Sequence, residues 1–298
     1  MRLITHKDYK EFIKTHRNVT IEKSKIPIGT KLNIDKLAPN EEYKPEGTTV
    51  WSFPDRGDWA THTGDYRGNF SPFIPRNLIL KYSTKGDLIL DQMVGSGTTL
   101  IECKLLQRNA IGVDINPDAI MVTRDRLNFT SYSTHEKSKI QTYVGDARNM
   151  NKIDDQSIDL IISHPPYSYI IGYTQDRIEG DISAFRNIDE FLKAIRKIAD
   201  ESYRVLKQDK HCSILIGDTR KRKHYIPIAF RVMQQFLDAG FILKEDIIKL
   251  QHKVSTNRGK WRATYYPFYK IMHEHIFIFR KPSKNEKIRD FKASIKWW

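Results

Sequence analysis

An alternation that begins near residue 78 constrains the fold more than any other feature of the chain. Short apolar runs at Leu88–Asp91, Ala110–Asp114, Gln141–Val144, Asp159–Ser163 and Cys212–Gly217 are separated by longer stretches of helical period. A strand that is apolar throughout needs cover on both faces, and helical crossovers provide it. The pattern therefore predicts a doubly wound α/β domain with a mostly parallel sheet. Helices are expected over about 98–108, 117–128, 187–206 and 227–239. In the third, Phe191, Leu192, Ile195, Ile198, Ala199, Tyr203 and Leu206 recur at three- and four-residue spacing and make one apolar face. Asp189 and Glu190 near its start and Lys207 near its end agree with the helix dipole. Two more strand-like runs, Phe241–Leu250 and His273–Arg280, are joined by a long basic connection in place of a helix. They are expected to pair antiparallel at the sheet edge, which brings the strand count to seven.

The flanks are less regular. Residues 1–50 are polar and lysine-rich and are expected to form an N-terminal extension or cap. Residues 51–76 mix Gly, Pro and Asp with six aromatic residues and His62, a density at which rings pack against something, so an ordered loop is expected. Residues 51–285 would form the body of the domain and 286–298 a basic tail. Hydrophobic residues are 39% of the 298, enough for a sizeable core and too many for wholesale disorder. Two cysteines exclude a disulfide scaffold and a four-cysteine zinc site. His273 and His275 share one strand face with no third ligand near in sequence, so no metal is expected. No apolar run approaches the roughly 18 residues of a membrane span, and the first residues lack the hydrophobic stretch of a signal peptide. That pattern is expected of a cytoplasmic protein. The formal charge of +14 favours a polyanionic partner.

The stretch Asp91-Gln92-Met93-Val94-Gly95-Ser96-Gly97-Thr98-Thr99 follows a strand and opens a helix. Glycines at such a turn let the backbone approach a ligand, and the helix start offers unpaired N–H groups. It is not a phosphate loop, because no Gly-Lys-Ser/Thr follows and Leu100 stands where the dinucleotide fingerprint has its third glycine. Asp91 at the strand end would repel a phosphate and welcome a cationic or amino-bearing ligand. The next strand ends in Asp114, placed to accept from two ribose hydroxyls, and the third in Gly145-Asp146. Three acidic strand ends on one edge point to an adenosine that carries an amino acid and a sulfonium, which is S-adenosylmethionine.

The fourth strand runs into Ser163-His164-Pro165-Pro166-Tyr167. Two prolines fix an extended turn and remove two N–H donors, leaving rigid carbonyls. A polar side chain before them and a ring after them make a slot for a planar group that bears an amine. Together, D-Q-M-V-G-S-G-T-T and S-H-P-P-Y resemble the D-P-F-x-G-S-G-T-T and [DNS]-P-P-[YF] motifs of DNA amino-methyltransferases. The segment SPFIPRNLILKYSTKGD is similar to the helix that this family places beside the methionine end of its cofactor, and ILIGD…HEHIFIFRK is similar to its later strands. The resemblance spans roughly residues 50–281, with the cofactor motif before the catalytic one, the unpermuted order. It implies the class I S-adenosylmethionine-dependent methyltransferase fold. It also implies cofactor contacts at Asp91, Met93, Gly95, Ser96, Gly97, Thr98, Asp114, Ile115, Asp146 and Ala147, and catalysis by Ser163, His164, Pro165, Pro166 and Tyr167.

On that resemblance, a base flipped from the duplex would stack on Tyr167, and its exocyclic amine would donate to His164 and the Pro165 carbonyl before attacking the methyl directly. There is no Pro-Cys nucleophile of the cytosine-C5 kind, and Cys103 and Cys212 read as packing residues. The chain departs from the family pattern twice. Gln92-Met93 replace Pro-Phe, and His164 stands where the family has Asp, Asn or Ser. A neutral imidazole nitrogen can accept from an amine, and Ser163 could supply the acceptor through a shifted turn. Cytosine N4 and adenine N6 both stay open as targets.

Residues 219–270 hold twelve Lys/Arg against three Asp/Glu. Arg220, Lys221, Arg222 and Lys223 follow the fifth strand, and Lys253, Asn257, Arg258, Lys260, Trp261 and Arg262 lie between the last two. These are expected to track phosphates and enter a groove, with residues 168–181 ordering over the flipped base. Double-stranded DNA is the expected partner, with location at the nucleoid. A cognate restriction endonuclease would act independently, as in restriction–modification. The alternatives are an RNA or tRNA base amino-methyltransferase and a non-catalytic nucleic-acid-binding relative. Oligomeric state is open.

Overall fold

Residues 1–22, 24–30, 34–130, 138–167, 178–185, 187–252 and 267–296 are described by the computed structural model. The chain begins with β1 (Arg2–Ile4), α1 (His6–Thr15) and a hairpin of β2 (Asn18–Ile21) and β3 (Ser24–Pro27), then returns to the sheet with β4 (Val50–Trp51). Helix α2 (Phe73–Tyr82) leads into the alternating body: β5 (Leu88–Asp91), α3 (Thr98–Leu105), β6 (Asn109–Asp114), α4 (Pro117–Arg126), β7 (Ile140–Val144) and β8 (Ile158–Ser163). There follow α5 (Ile188–Val205), β9 (Leu206–Ile216), a small hairpin β10 (Thr219–Lys221) and β11 (His224–Ile226), and α6 (Ile228–Asp238). The antiparallel strands β12 (Ile242–Leu250) and β13 (His273–Arg280) and a short helix α7 (Lys292–Ile295) complete the chain.

The sheet order is β1-β7-β6-β5-β8-β9-β13-β12-β4. The seven strands read from the sequence occupy its consecutive middle positions. β5 to β9 are parallel to their neighbours among themselves, and β13 is antiparallel to both β9 and β12. This is the mostly parallel order with an antiparallel edge that the resemblance implies. Period-2 alternation divides the strand side chains between two cores. Ile161, Ile214, Phe277 and Phe279 face α5 and α6, while Leu160, Ile162, Leu215, Ile276 and Ile278 face the layer that holds α2, α3 and α4. Every residue of β8 is buried, which explains why its sequence is apolar almost throughout.

Helix boundaries follow local chemistry. Asn116 caps α4 by accepting from the Asp118 amide, with Pro117 at the first helical position, and Asn187 caps α5 through the Asp189 amide. Of the first 50 residues, expected as an extension or cap, the two ends join the main sheet, and β2 and β3 pair in a small sheet of their own. β1 pairs antiparallel with β7 and β4 pairs parallel with β12, while Ile4 and Trp51 are buried in the second core. The tail also folds back. Arg280 binds Glu286 at 2.8 Å and lies over the Phe291 ring at 5.3 Å. Among the described residues, no helix is long and apolar enough to cross a membrane.

Candidate active site

The carboxyl ends of β5 to β8 open on a cleft of about 860 Å3, its mouth included. Eight of the ten expected cofactor residues line it: Met93, Gly95, Ser96, Thr98, Asp114, Ile115, Asp146 and Ala147. The turn into α3 depends on Gly97, whose φ of 85° is left-handed and where a Cβ would sit 3.0 Å from Thr123. No side chain caps α3, so its first N–H groups keep their donors for a ligand beside Thr98. Asp114 accepts from the Gly95 and Asn116 amides at 2.9 Å each. Burial is the main cause that pushes its pKa up to about 6; the two amide bonds oppose the rise and the Asp181 charge adds to it.

Asp91 and Gly97 do not line the cleft. The Asp91 carboxylate instead accepts from the Thr99 hydroxyl at 2.6 Å and the Met93 amide at 3.2 Å, which braces the glycine turn from inside. Burial pushes its pKa up to about 7. Gln92 continues this inward role by exchanging hydrogen bonds with Ser202 of α5. Asp146 does reach the cleft, but Arg148 binds it at 2.6 Å and also donates to the Gly180 carbonyl at 2.8 Å, so the ion pair ties the segment before Asp181 to β7.

The opposite wall comes from the aromatic loop, through Tyr66, Gly68, Asn69 and Phe70. Asn69 donates to the Ser96 hydroxyl at 3.3 Å. Two devices hold this polar stretch in place. Arg56 donates to the Asn69 and Phe70 carbonyls at 3.0 and 2.7 Å. Glu102 of α3 is fully buried and accepts from Trp59, His62 and Arg76 at 2.7, 2.8 and 2.8 Å. Burial lowers the pKa of His62, so a neutral imidazole makes that bond. Aromatic density flagged the loop in the sequence; its place at the cleft had no signature.

His164 and Pro166 bring the Ser163–Tyr167 motif, expected to be catalytic, to the same cleft, with the Phe70 and His164 ring centroids 5.7 Å apart. Ser163, Pro165 and Tyr167 do not line it. Ser163 is 1% exposed on the last position of β8, and its hydroxyl makes no hydrogen bond among the described residues. The Tyr167 ring lies over Gly217, and its hydroxyl donates to Glu274 at 2.7 Å and meets Nε2 of His164 at 2.9 Å. Lys249, the cross-strand partner of Glu274, binds the other carboxylate oxygen at 2.8 Å. Burial opposes the charge on Glu274, but Lys249, His164 and the hydrogen bonds from Lys249 and Tyr167 outweigh it and hold the pKa at about 2. Burial pushes His164 down to about 4, leaving a neutral imidazole at the cleft. Neither Glu274 nor Lys249 was singled out in the sequence, because both strands carry several other charged residues among which this pair does not stand out.

Comparison with known proteins adds a direct result. The sequence profile of the N6/N4 DNA methylases matches residues 3–125 and 158–296. The chain belongs to the DNA methylase family. That match takes in both β1 and the folded tail. An RMKL-like methyltransferase domain also matches residues 78–179. The Type II methyltransferase M.HpaI of Haemophilus parainfluenzae is 47% identical over 51 residues, which are 17% of this chain and 16% of the relative. M.BsoBI of Geobacillus stearothermophilus is 27% identical over 221 residues, 65% of this chain and 42% of the relative. A tRNA (guanine(10)-N2)-dimethyltransferase of Methanothermobacter thermautotrophicus is 35% identical over 103 residues, 34% of this chain and 29% of the relative. The matched regions make up 14% to 42% of the first four curated relatives. Among solved structures, an S-adenosylmethionine-dependent methyltransferase from Methanosarcina mazei superposes with a TM-score of 0.49 at 15% identity, over 70% of this chain and 98% of that one.

In this DNA methylase family chain the basic segment after β9 is the hairpin β10–β11. Arg220 anchors it. Its guanidinium donates to the Lys223 and Tyr269 carbonyls at 3.2 and 3.0 Å and lies over the Phe268 and Tyr225 rings at 4.7 and 5.6 Å. Lys221, Arg222 and Lys223 are exposed. The other expected nucleic-acid residues, Lys253, Asn257, Arg258, Lys260, Trp261 and Arg262, lie outside the described residues, as do 168–177 of the expected loop over the base.

Proposed function

We propose that this protein methylates the exocyclic amino group of a base in duplex DNA, cytosine N4 or adenine N6, with S-adenosylmethionine as donor. One observation carries the reading: the glycine turn and the His164-Pro165-Pro166-Tyr167 motif, far apart in sequence, converge on one cleft in a chain of the DNA methylase family. The cleft suits that donor. Asp114 offers carboxylate lone pairs to ribose hydroxyls, and Asp114 with Asp181 makes the lining acidic, which favours a ligand with a cationic end and disfavours a phosphate. When bound, the donor supplies an electrophilic methyl on a positively charged sulfur.

The chain's own residues do the rest. Neutral His164 accepts a hydrogen bond from the amino group and draws the nitrogen lone pair out of conjugation with the ring. Pro165 lies between the cleft residues His164 and Pro166 without lining the cleft itself, so its carbonyl would serve as second acceptor, stabilising positive charge on that nitrogen, only once the base brings the turn into contact. Orientation in a site walled by Phe70 and Pro166 supplies much of the acceleration. Since Tyr167 is turned towards Glu274, stacking on an extruded base falls to Phe70 or needs Tyr167 to swing. The exposed cations of the β10–β11 hairpin would follow phosphates, and a restriction endonuclease of the same specificity would be the natural companion.

The similarity to a tRNA methyltransferase and to the RMKL-like domain favours a second reading, transfer to an RNA base. Incubation with radiolabelled S-adenosylmethionine and either unmethylated duplex DNA or bulk tRNA separates the two. Label in DNA alone is expected. Label in tRNA alone would overturn the substrate and leave the cofactor site standing.

A further inference from the structure

Four strand ends in a row across the sheet carry a single chain of hydrogen bonds. Lys249 on β12 binds Glu274 on β13 at 2.8 Å, Glu274 binds the Tyr167 hydroxyl at 2.7 Å, and that hydroxyl meets Nε2 of His164 at 2.9 Å after β8. Just past the end of β9, between the last two, stands Gly217. A Cβ there would lie 3.1 Å from the Tyr167 ring and 3.3 Å from Glu274, so the missing side chain is what lets the phenol reach across.

Proton accounting decides the direction of this chain. A phenol has one proton, and Glu274, ion-paired to Lys249, can only accept. The hydroxyl proton therefore points at Glu274, because the reverse would leave two oxygens 2.7 Å apart with nothing between them. The phenol oxygen then presents a lone pair to His164, whose Nε2 must carry the hydrogen. We propose that Glu274 is a positioning residue: acting through Tyr167, it fixes His164 as the Nε2–H tautomer and leaves Nδ1 as the acceptor for the target amine. A backbone hydrogen bond to Gly68 also acts on this imidazole and, with Nε2 held by Tyr167, falls on Nδ1. Gly68 therefore competes with the Tyr167–Glu274 relay over the tautomer, and the target amine has to take its place at Nδ1. The role answers the chain's departure from its family. Asp, Asn and Ser present an acceptor oxygen without help, whereas an imidazole accepts only in the right tautomer.

The proposal rests on the amino-methyltransferase reading for its purpose, but the tautomer can be read without any reaction. The full-length protein is labelled with 15N-histidine, and long-range 1H–15N correlation spectra are recorded, with His164→Gln identifying the His164 signals. The expected result is Nε2–H in the wild type, with loss of that preference in both Glu274→Gln and Tyr167→Phe. Methyl transfer in these variants should fall in kcat by about 10²-fold or more while cofactor affinity holds, as for other imidazoles oriented by a carboxylate. A wild-type His164 protonated at Nδ1, or a tautomer unchanged in Tyr167→Phe, would overturn it. Should Glu274→Gln fail to fold, the wild-type and Tyr167→Phe spectra decide alone. Absence of methyl transfer to DNA by the wild type would sink the reading of function and leave the tautomer result intact.

Discussion

Asp91 and Asp114 end neighbouring strands and carry raised pKa values for the same reason, burial, yet one faces the turn and the other the cleft. The pKa of Asp91, about 7, lies above the 3.8 of an ordinary aspartate. The folded state therefore prefers the neutral carboxyl; that stability is fully present below about pH 4 and is lost as pH rises through 7. Asp91→Asn has no charge to bury. The unliganded variant should melt higher than wild type at about pH 8, with a gap of a few kcal/mol that closes below about pH 4. A gap of constant size across that range would contradict the assignment. Asp114, at about 6, is partly protonated in the free protein at mildly acidic pH. Accepting ribose hydroxyls requires the carboxylate, so cofactor binding near pH 5.5 should release a proton, and affinity should rise with pH and level off above about 6. Calorimetry in buffers of different ionisation enthalpy reads this directly, and binding with no proton release would remove Asp114 from the cofactor's partners. The sequence placed both aspartates at strand ends. It could not tell them apart, because which way a carboxylate turns depends on Thr99 and Gly95, whose positions only the folded loop supplies.

At the scale of elements, strands and helices of the body were readable because each carries a full period of burial. α5 shows one apolar face, and β8 is buried at every position. The β10–β11 hairpin was not readable as a hairpin. Its turn is made by Arg222 and Lys223 at φ of 49° and 70°, with no Asn-Gly or Asp-Gly to announce it. Holding two charged, non-glycine residues in that left-handed conformation marks the turn as a place where charge outweighs local preference. Arg222→Glu with Lys223→Glu should leave the melting temperature near wild type, weaken duplex binding, and reduce the salt slope by about one for each phosphate no longer neutralised. An unchanged slope would move the DNA surface elsewhere. Arg220→Ala, by contrast, should destabilise the hairpin itself, since its guanidinium joins two carbonyls and two rings.

Over the whole molecule, the outermost strands and the loop wall escaped the sequence for different reasons. β1 and β4 have three and two residues, too few for alternation to register, and they join strands remote in the chain. The aromatic loop is held by Glu102, which from sequence is one more charged residue on a helix. Its burial against Trp59, His62 and Arg76 couples the cofactor helix to the opposite wall of the cleft. Removing the carboxylate leaves those donors unpaired, so Glu102→Ala should cost about 3–5 kcal/mol in urea unfolding and weaken cofactor binding together. An unchanged unfolding midpoint would show that the loop is held by Arg56 alone.

The central claim is that a base amine attacks the methyl directly, and nucleoside mass analysis of duplex DNA after incubation with the protein and S-adenosylmethionine tests it most closely. N4-methylcytosine or N6-methyladenine is the expected product. 5-Methylcytosine, or DNA left unmodified while the cofactor is bound, would contradict it.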